Sequence, residues 1–268
     1  MAAAALAAAH SAPVFSTFGP LRNRVMPLLA GRGRPGHVAL SFDDGPDPVS
    51  TPLFLRLLDQ RGVRATFFLL GSEAHRSPGL VREIASAGHE IGVHGWLQRP
   101  LLLRGPRATY DDFARARDTI AAITGSRPLL FRPPYGVMST AAHVAARRLG
   151  LTPVLWTCWG EDWTARASPE SVHRTVISGL HGGGTVLLHD SDCTSAPGAW
   201  RSALGALPRI LDTCERRGYE VGRLCDHGWR GSTYNRQPLA SGMIEEGPSG
   251  RERRNGDQRA ASEEGGST

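Results

Sequence analysis

The sequence predicts an α/β protein whose parallel strands close into a TIM-like (β/α)7 barrel, and three observations lead there. From Val38 to Leu224, short apolar β-favouring runs alternate with segments of helical period, the order that yields a parallel sheet with helical crossovers. The length of 268 residues suits one such barrel. Several of the apolar runs also stop abruptly at a carboxylate, a histidine or an arginine, as the carboxyl ends of barrel strands do when they carry a site.

Taken in order, residues 1–36 read as a peripheral segment. Residues 1–9 are apolar but lack the basic leader of a secretory signal. They read as a degenerate signal, a mis-called start or the first turns of a helix, so both export and a cytoplasmic location stay open. The first strand covers 38–42 and ends at Asp43 and Asp44, followed by a Gly45-Pro46 turn. Ser50 and Pro52 open a helix with Leu53, Phe54, Leu57 and Leu58 on one face, closed by Gly62. Residues 65–70 form the second strand, and Ser77-Pro78 reads as an N-cap with proline at the first helical position. The third strand, 90–93, ends at His94. A helix over 108–123 precedes the fourth strand, 128–131, which ends at Arg132-Pro133-Pro134-Tyr135-Gly136. A helix over 140–149 leads to the fifth strand, 152–156, and Ser168-Pro169-Glu170 opens another helix to about Leu180. Gly182-Gly183-Gly184 enters the sixth strand, 185–188, which ends at His189-Asp190; the helix with Trp200, Leu204, Leu207, Ile210 and Leu211 precedes the seventh, 219–224. The barrel domain is thus placed at 37–230. Residues 231–268, rich in Gly, Ser, Arg and Glu and poor in apolar residues, read as a disordered polar tail.

Composition narrows the function. The net charge of +6 comes entirely from arginine, since the chain has no lysine, and no basic cluster is interleaved with aromatics as in a nucleic-acid surface. No run reaches the roughly 18 apolar residues of a membrane span. Cys158, Cys193, Cys214 and Cys225 form no CxxC pair and read as buried free thiols, with a disulfide as the alternative. Nothing in the sequence fixes an oligomeric state.

Four strand ends bring Asp43 and Asp44, His94, Arg132 and His189 to one rim. Adjacent carboxylates repel unless a cation or a shared proton intervenes. Asp44 and His94 together could hold a divalent metal, Asp43 could deprotonate a water, and His189 could protonate a leaving group. The spacing therefore suggests metal-assisted hydrolysis. A glycosidase fits poorly, because its two carboxyls must flank a bond roughly 5–9 Å apart and neighbouring aspartates do not.

The ordered set Ser41-Phe42-Asp43-Asp44-Gly45-Pro46, His94, Arg132-Pro133-Pro134-Tyr135-Gly136, Asp162-Trp163 and Leu187-Leu188-His189-Asp190 resembles the polysaccharide deacetylases, carbohydrate esterase family four, over residues 37–225. The resemblance implies a distorted barrel, a polysaccharide deacetylase homology domain, that removes acetyl groups from an N-acetylated glycan of the chitooligosaccharide or bacterial cell-wall peptidoglycan type. It implies Asp43 as general base, His189 as general acid, and Asp44 and His94 as ligands of a divalent metal, zinc in the first instance. Arg132 would orient Asp43, Asp162 would hold His189 protonated, and the backbone N–H of Tyr135 would stabilise the oxyanion. Trp163 and Leu187 would wall the acetyl-methyl pocket. The family's second motif has two histidines four residues apart; here Gln98 stands where the second belongs. An amide oxygen is a weak zinc ligand beside imidazole. Structural zinc sites yield roughly 10–16 kcal/mol from four ligands, so one ligand's share is about 3 kcal/mol, on the order of a hundredfold in affinity. Expectations are therefore a weakened metal site, a rearranged one, or a carbohydrate-binding relative without turnover. His75, His89 and His143 lie at no strand end and are not expected to substitute for the missing imidazole.

Overall fold

The protein is described from a computed structural model, which places residues 9–11, 13–14 and 19–228. The expected polar tail and most of the apolar opening lie outside these residues. Helix α1, Gly19–Val25, precedes a repeating pattern: β1 His37–Asp43, α2 Thr51–Gln60, β2 Thr66–Leu69, α3 Gly71–Arg76, α4 Pro78–Ser86, β3 Glu90–Val93, α5 Pro106–Thr124 and β4 Leu130–Phe131. Then follow α6 Thr140–Arg148, β5 Thr152–Pro153, β6 Cys158–Trp159, α7 Pro169–Gly179, β7 Thr185–His189, α8 Trp200–Arg216 and β8 Glu220–Gly222.

The strands form one parallel sheet in the order β5-β4-β3-β2-β1-β7-β6, with β8 alongside the start of β1. It is a curled half-barrel. The α/β barrel expected from the sequence is borne out in this open, distorted form. All seven residues of β1 are buried, because β2, β7 and β8 flank it, helices cover one face, and the interior of the half-barrel, with Phe68, Leu130, Val154 and Leu224 around Ala39, fills the other. That is why its sequence reads as a continuous apolar run. The core beneath it packs Phe42 against Phe54 and Phe67, with ring centroids 5.2 and 5.0 Å away, while Phe113 and Phe131 meet at 4.2 Å.

The expected fifth strand, 152–156, is broken. Only Thr152–Pro153 pairs with β4; the chain then crosses to the opposite edge and returns as β6 beside β7. Arg132 is the reason. Its guanidinium takes the carbonyls of Val154 at 3.3 Å and Leu155 at 3.0 Å, and the Leu155 N–H donates to Leu29 O at 2.7 Å. Those backbone groups are spent on a side chain and on the amino-terminal segment, so no neighbouring strand is needed to satisfy them.

Two helices, α1 and α3, have no counterpart in the sequence reading. Ser77 precedes α4 but its hydroxyl makes no cap hydrogen bond, whereas Ser168 and Ser171 form a reciprocal capping box at the start of α7. Residues 26–36 run along the amino ends of the strands, with Ala30 fully buried and Gly33 donating to the Gly183 carbonyl at 2.9 Å.

Candidate active site

The carboxyl ends of β1, β3, β4 and β7 converge on one cavity of about 270 Å³. Asp43, Asp44, His94, Gln98, Tyr135, Trp163, Leu187 and His189 all line it. Arg132 and Asp162 stand immediately behind, on Asp43 and His189 respectively. The ten residues singled out in the sequence are thus brought together. His75, His89 and His143 do not line the cavity; His89 instead accepts from the Ala65 N–H at 3.0 Å and packs on Phe67. A larger cavity, of about 630 Å³, opens around His89, Glu90 and Pro128 at the other end of the strands, away from these residues.

Asp43 is the last residue of β1, and Arg132 Nη1 donates to its Oδ1 at 2.8 Å. Arg132 is fully buried, stacks 4.0 Å from the Phe68 ring centroid, and also donates to Ser41 Oγ at 2.8 Å. Every partner of the guanidinium is therefore fixed framework, and Asp43 Oδ1 is pinned. Burial depresses the arginine's pKa, and the adjacent Asp43 charge opposes that.

Asp44 leaves the strand with φ of 75°, a left-handed conformation that a non-glycine residue adopts at a cost of about 1–3 kcal/mol. Consecutive strand residues face opposite sides of a sheet. This backbone turn overrides that rule and aims both carboxylates into the same cavity. Thr194 Oγ1 donates to Asp44 Oδ2 at 2.6 Å, and Gln98 Nε2 donates to the same oxygen at 3.3 Å. Cys193, an exposed free thiol, donates from Sγ to the Asp44 carbonyl at 3.4 Å.

His94 is buried, with Nδ1 2.9 Å from the Arg132 carbonyl. A carbonyl only accepts, so Nδ1 carries a proton and Nε2 faces the aspartates, 3.3 Å from Asp44 Oδ1 and 3.9 Å from Asp43 Oδ2. Burial works against a charged His94, but Asp43 and Asp44 outweigh it and raise the pKa. Burial likewise works to raise Asp44, and His94 and Thr194 outweigh it and lower the pKa. The cluster calls for positive charge at this point, as a proton on Nε2 or as a cation.

On the facing side, His189 ends β7 and is clamped by Asp162. Oδ1 lies 3.0 Å from His189 Nδ1, and Oδ2 accepts the His189 backbone N–H at 2.7 Å. Burial opposes the imidazolium, but Asp162 overrides it, with Asp44 and Asp43 adding to the effect, and the pKa rises to about 10. Trp163 meets the imidazole edge-on at 5.8 Å. Tyr135 sits at φ 59°, with its hydroxyl donating to the Gln98 carbonyl at 3.3 Å.

The sequence reading missed Thr194, Ser195, Trp156 and Trp159, which also line the cavity. Trp156 is the last residue of the expected fifth strand and Trp159 the last of β6, so a strand-end position like those of the other site residues was the available signal for Trp156, while the break hid Trp159. Of the cysteines, Cys158 and Cys214 are buried as expected, whereas Cys193 is exposed and Cys225 half-buried; all four are free. Among the described residues no helix is long and apolar enough to cross a membrane.

The chain matches the family model described as polysaccharide deacetylase over residues 30–154. It is 33% identical over 183 residues to the peptidoglycan-N-acetylglucosamine deacetylase PgdA of Listeria monocytogenes, covering 68% of this chain but only 37% of that protein's length. It is 31% identical over 210 residues to the chitooligosaccharide deacetylase of a Bradyrhizobium species, covering 73% of this chain and 95% of that protein. Among solved structures, a family 4 carbohydrate esterase from Streptomyces lividans in complex with acetate superposes with a TM-score of 0.63 at 34% identity, covering 70% of this chain and 92% of that one. A mutant of the Bacillus anthracis protein BA3943, a family-four pseudoenzyme with restored enzymatic activity, gives a TM-score of 0.66 at 26% identity, covering 73% and 69%.

Proposed function

The chain belongs to the polysaccharide deacetylase family, and on that premise we propose that it is a metal-dependent hydrolase removing acetyl groups from N-acetylhexosamine units of a chitooligosaccharide- or peptidoglycan-type glycan. The observation that carries the reading is the pairing of opposites across one cavity. A carboxylate cluster with His94 stands on one side, and an imidazole held cationic by Asp162 stands on the other.

The residues fit a divalent cation. Gln98 Oε1 is buried with no hydrogen-bond partner among the described residues, and Asp44 Oδ1, also buried, is met only by His94 Nε2 at 3.3 Å. Acceptors left in that state are costly unless a cation meets them. With His94 Nε2 they make a carboxylate, imidazole and amide donor set. Among the described residues no third His, Cys, Asp or Glu joins them in a metal-ligating group, and in this reading the amide is the third protein donor. A cation held there would supply the positive charge that makes a water acidic near neutral pH and polarises a carbonyl.

Asp43, its Oδ1 held by Arg132, presents its other oxygen as general base and takes the proton of that water. The backbone N–H of Tyr135 donates to the oxyanion of the tetrahedral intermediate. His189 then delivers its proton to the amine nitrogen as the carbon–nitrogen bond breaks. Trp163 and Leu187 enclose the methyl group and exclude water. Asp43→Asn is expected to reduce acetate release from N-acetylated chitooligosaccharides by at least about a thousandfold, with metal content unchanged. Near-normal turnover in that variant would remove Asp43 from the mechanism.

Gln98 favours a second reading, a carbohydrate-binding relative without turnover. Its Nε2 already satisfies Asp44 Oδ2, and its oxygen is a weak ligand. Glycan binding by a purified chain that holds no metal and releases no acetate would select this reading over the first.

A further inference from the structure

One wall of the cavity is a row of rings that the proton transfers do not use. Trp156 and Trp159 are stacked, with centroids 5.7 Å apart and planes 26° from parallel. Trp159 meets Trp163 at 4.8 Å, and Trp163 abuts His189. The row therefore leads outward from the proposed acid. Trp159 is the last residue of β6, its backbone fixed in register with Leu187 of β7, yet the residue remains 38% exposed. An indole held against two others has already lost much of its rotamer freedom. A flat apolar face landing on it costs little further ordering.

Size and charge say what lands there. A cavity of about 270 Å³ lies at the small end of ligand sites, with room for one sugar ring and its acetyl group. The next ring of an oligomer must lie over the rim. The chain has 31 arginines, yet among the described residues none lines this cavity, whose acidic groups are Asp43 and Asp44. A ring bearing a carboxylate would find no guanidinium there and two like charges on one side, while the imidazolium opposite, His189, is already paired with Asp162.

We infer that Trp159 is a sugar-stacking residue that holds the neutral pyranose ring next to the one occupying the cavity, so that the chain selects oligomers over single N-acetylated sugars. The inference deepens the deacetylase reading by adding a subsite to its cavity, but its test does not require turnover.

Tryptophan fluorescence titration of the full chain with chitotetraose and with N-acetylglucosamine tests it, in the native protein and in Trp159→Ala, Trp159→Leu and Trp159→Phe. Leucine keeps apolar bulk against Trp156 without a ring face, which guards against a fold that fails in the alanine variant. Both aliphatic variants are expected to bind chitotetraose about tenfold more weakly, with a smaller loss for the monomer and most of the affinity kept in Trp159→Phe. In turnover, KM for the tetramer rises more than kcat falls. Unchanged tetramer binding in Trp159→Leu, or equal losses for monomer and tetramer, overturns the inference. If the native chain releases no acetate but still binds the tetramer through Trp159, the deacetylase reading fails and the stacking residue stands.

Discussion

At His189 the decisive partner is one carboxylate. Burial alone would strip the imidazole of its proton, and Asp162 at 3.0 Å reverses that, keeping the group cationic up to about pH 10. A proton donor of this kind works while it is charged, so activity should persist through neutral pH and fall on the alkaline side. Asp162→Asn should carry that alkaline limb down toward the ordinary histidine value near 6.5. At pH 8 the protonated fraction would then drop about thirtyfold, and a pH–rate profile reads the shift directly; an unmoved limb would unseat His189 as the acid. Gln98 is the other residue on which chemistry turns. Gln98→His should tighten zinc binding by on the order of a hundredfold, read as metal retained after dialysis and by calorimetry. Unchanged metal content would place the Gln98 side chain outside the donor set. The sequence identified both residues by type and position, but it could not give the orientation of the amide, whose Nε2 faces Asp44 Oδ2.

Among the elements, the joint between residues 33–36 and the entry to β7 depends on backbone brought very close to backbone. Gly33 N donates to the Gly183 carbonyl at 2.9 Å. A Cβ on Gly182 would lie 1.9 Å from the Pro35 carbonyl oxygen. The triple glycine, which in the sequence is only a loop before a strand, is a docking surface for the amino-terminal strap. Gly182→Ala should displace that strap and lower stability by about 1–3 kcal/mol, measured by urea denaturation. A neutral effect would mean that the strap contributes nothing to stability. The broken fifth strand is legible only in retrospect. Its residues favour extended backbone, and the event that breaks it is a guanidinium arriving from β4, more than 20 residues earlier in the chain.

Across the whole molecule, buried histidines away from the cavity set the response to acid. His37 and His227 are fully buried, and their Nδ1 atoms lie 2.8 Å apart. His227 Nε2 donates to the Gly31 carbonyl at 3.0 Å, so its Nδ1 accepts from His37 while both rings are neutral. Burial, followed by the neighbouring His37, lowers His227 to about 4; burial, followed by Arg64, does the same for His89. Between pH 6.5 and about 4 these two histidines make the unfolded chain bind more protons than the folded one; buried Asp190, raised to about 7, opposes one of the two, and stability falls as pH falls through that window. Thermal melts at pH 7, 5.5 and 4.5 should show a progressive loss, and His227→Asn should flatten it. An identical slope in that variant would assign the acid response elsewhere.

The alternation of apolar runs with helical periods fixes the class of fold, because a buried parallel strand has no choice of residue chemistry. The polar residues that stop those runs fix the membership of the site, since strand ends must meet at one rim. Neither determines where a side chain points. Both aspartates face one cavity only because Asp44 turns through a left-handed backbone conformation. Arg132 splits a strand, and a threonine and two tryptophans from distant segments complete the walls. Those are long-range contacts, set by the three-dimensional packing of residues far apart in the chain, and local sequence carries no record of them.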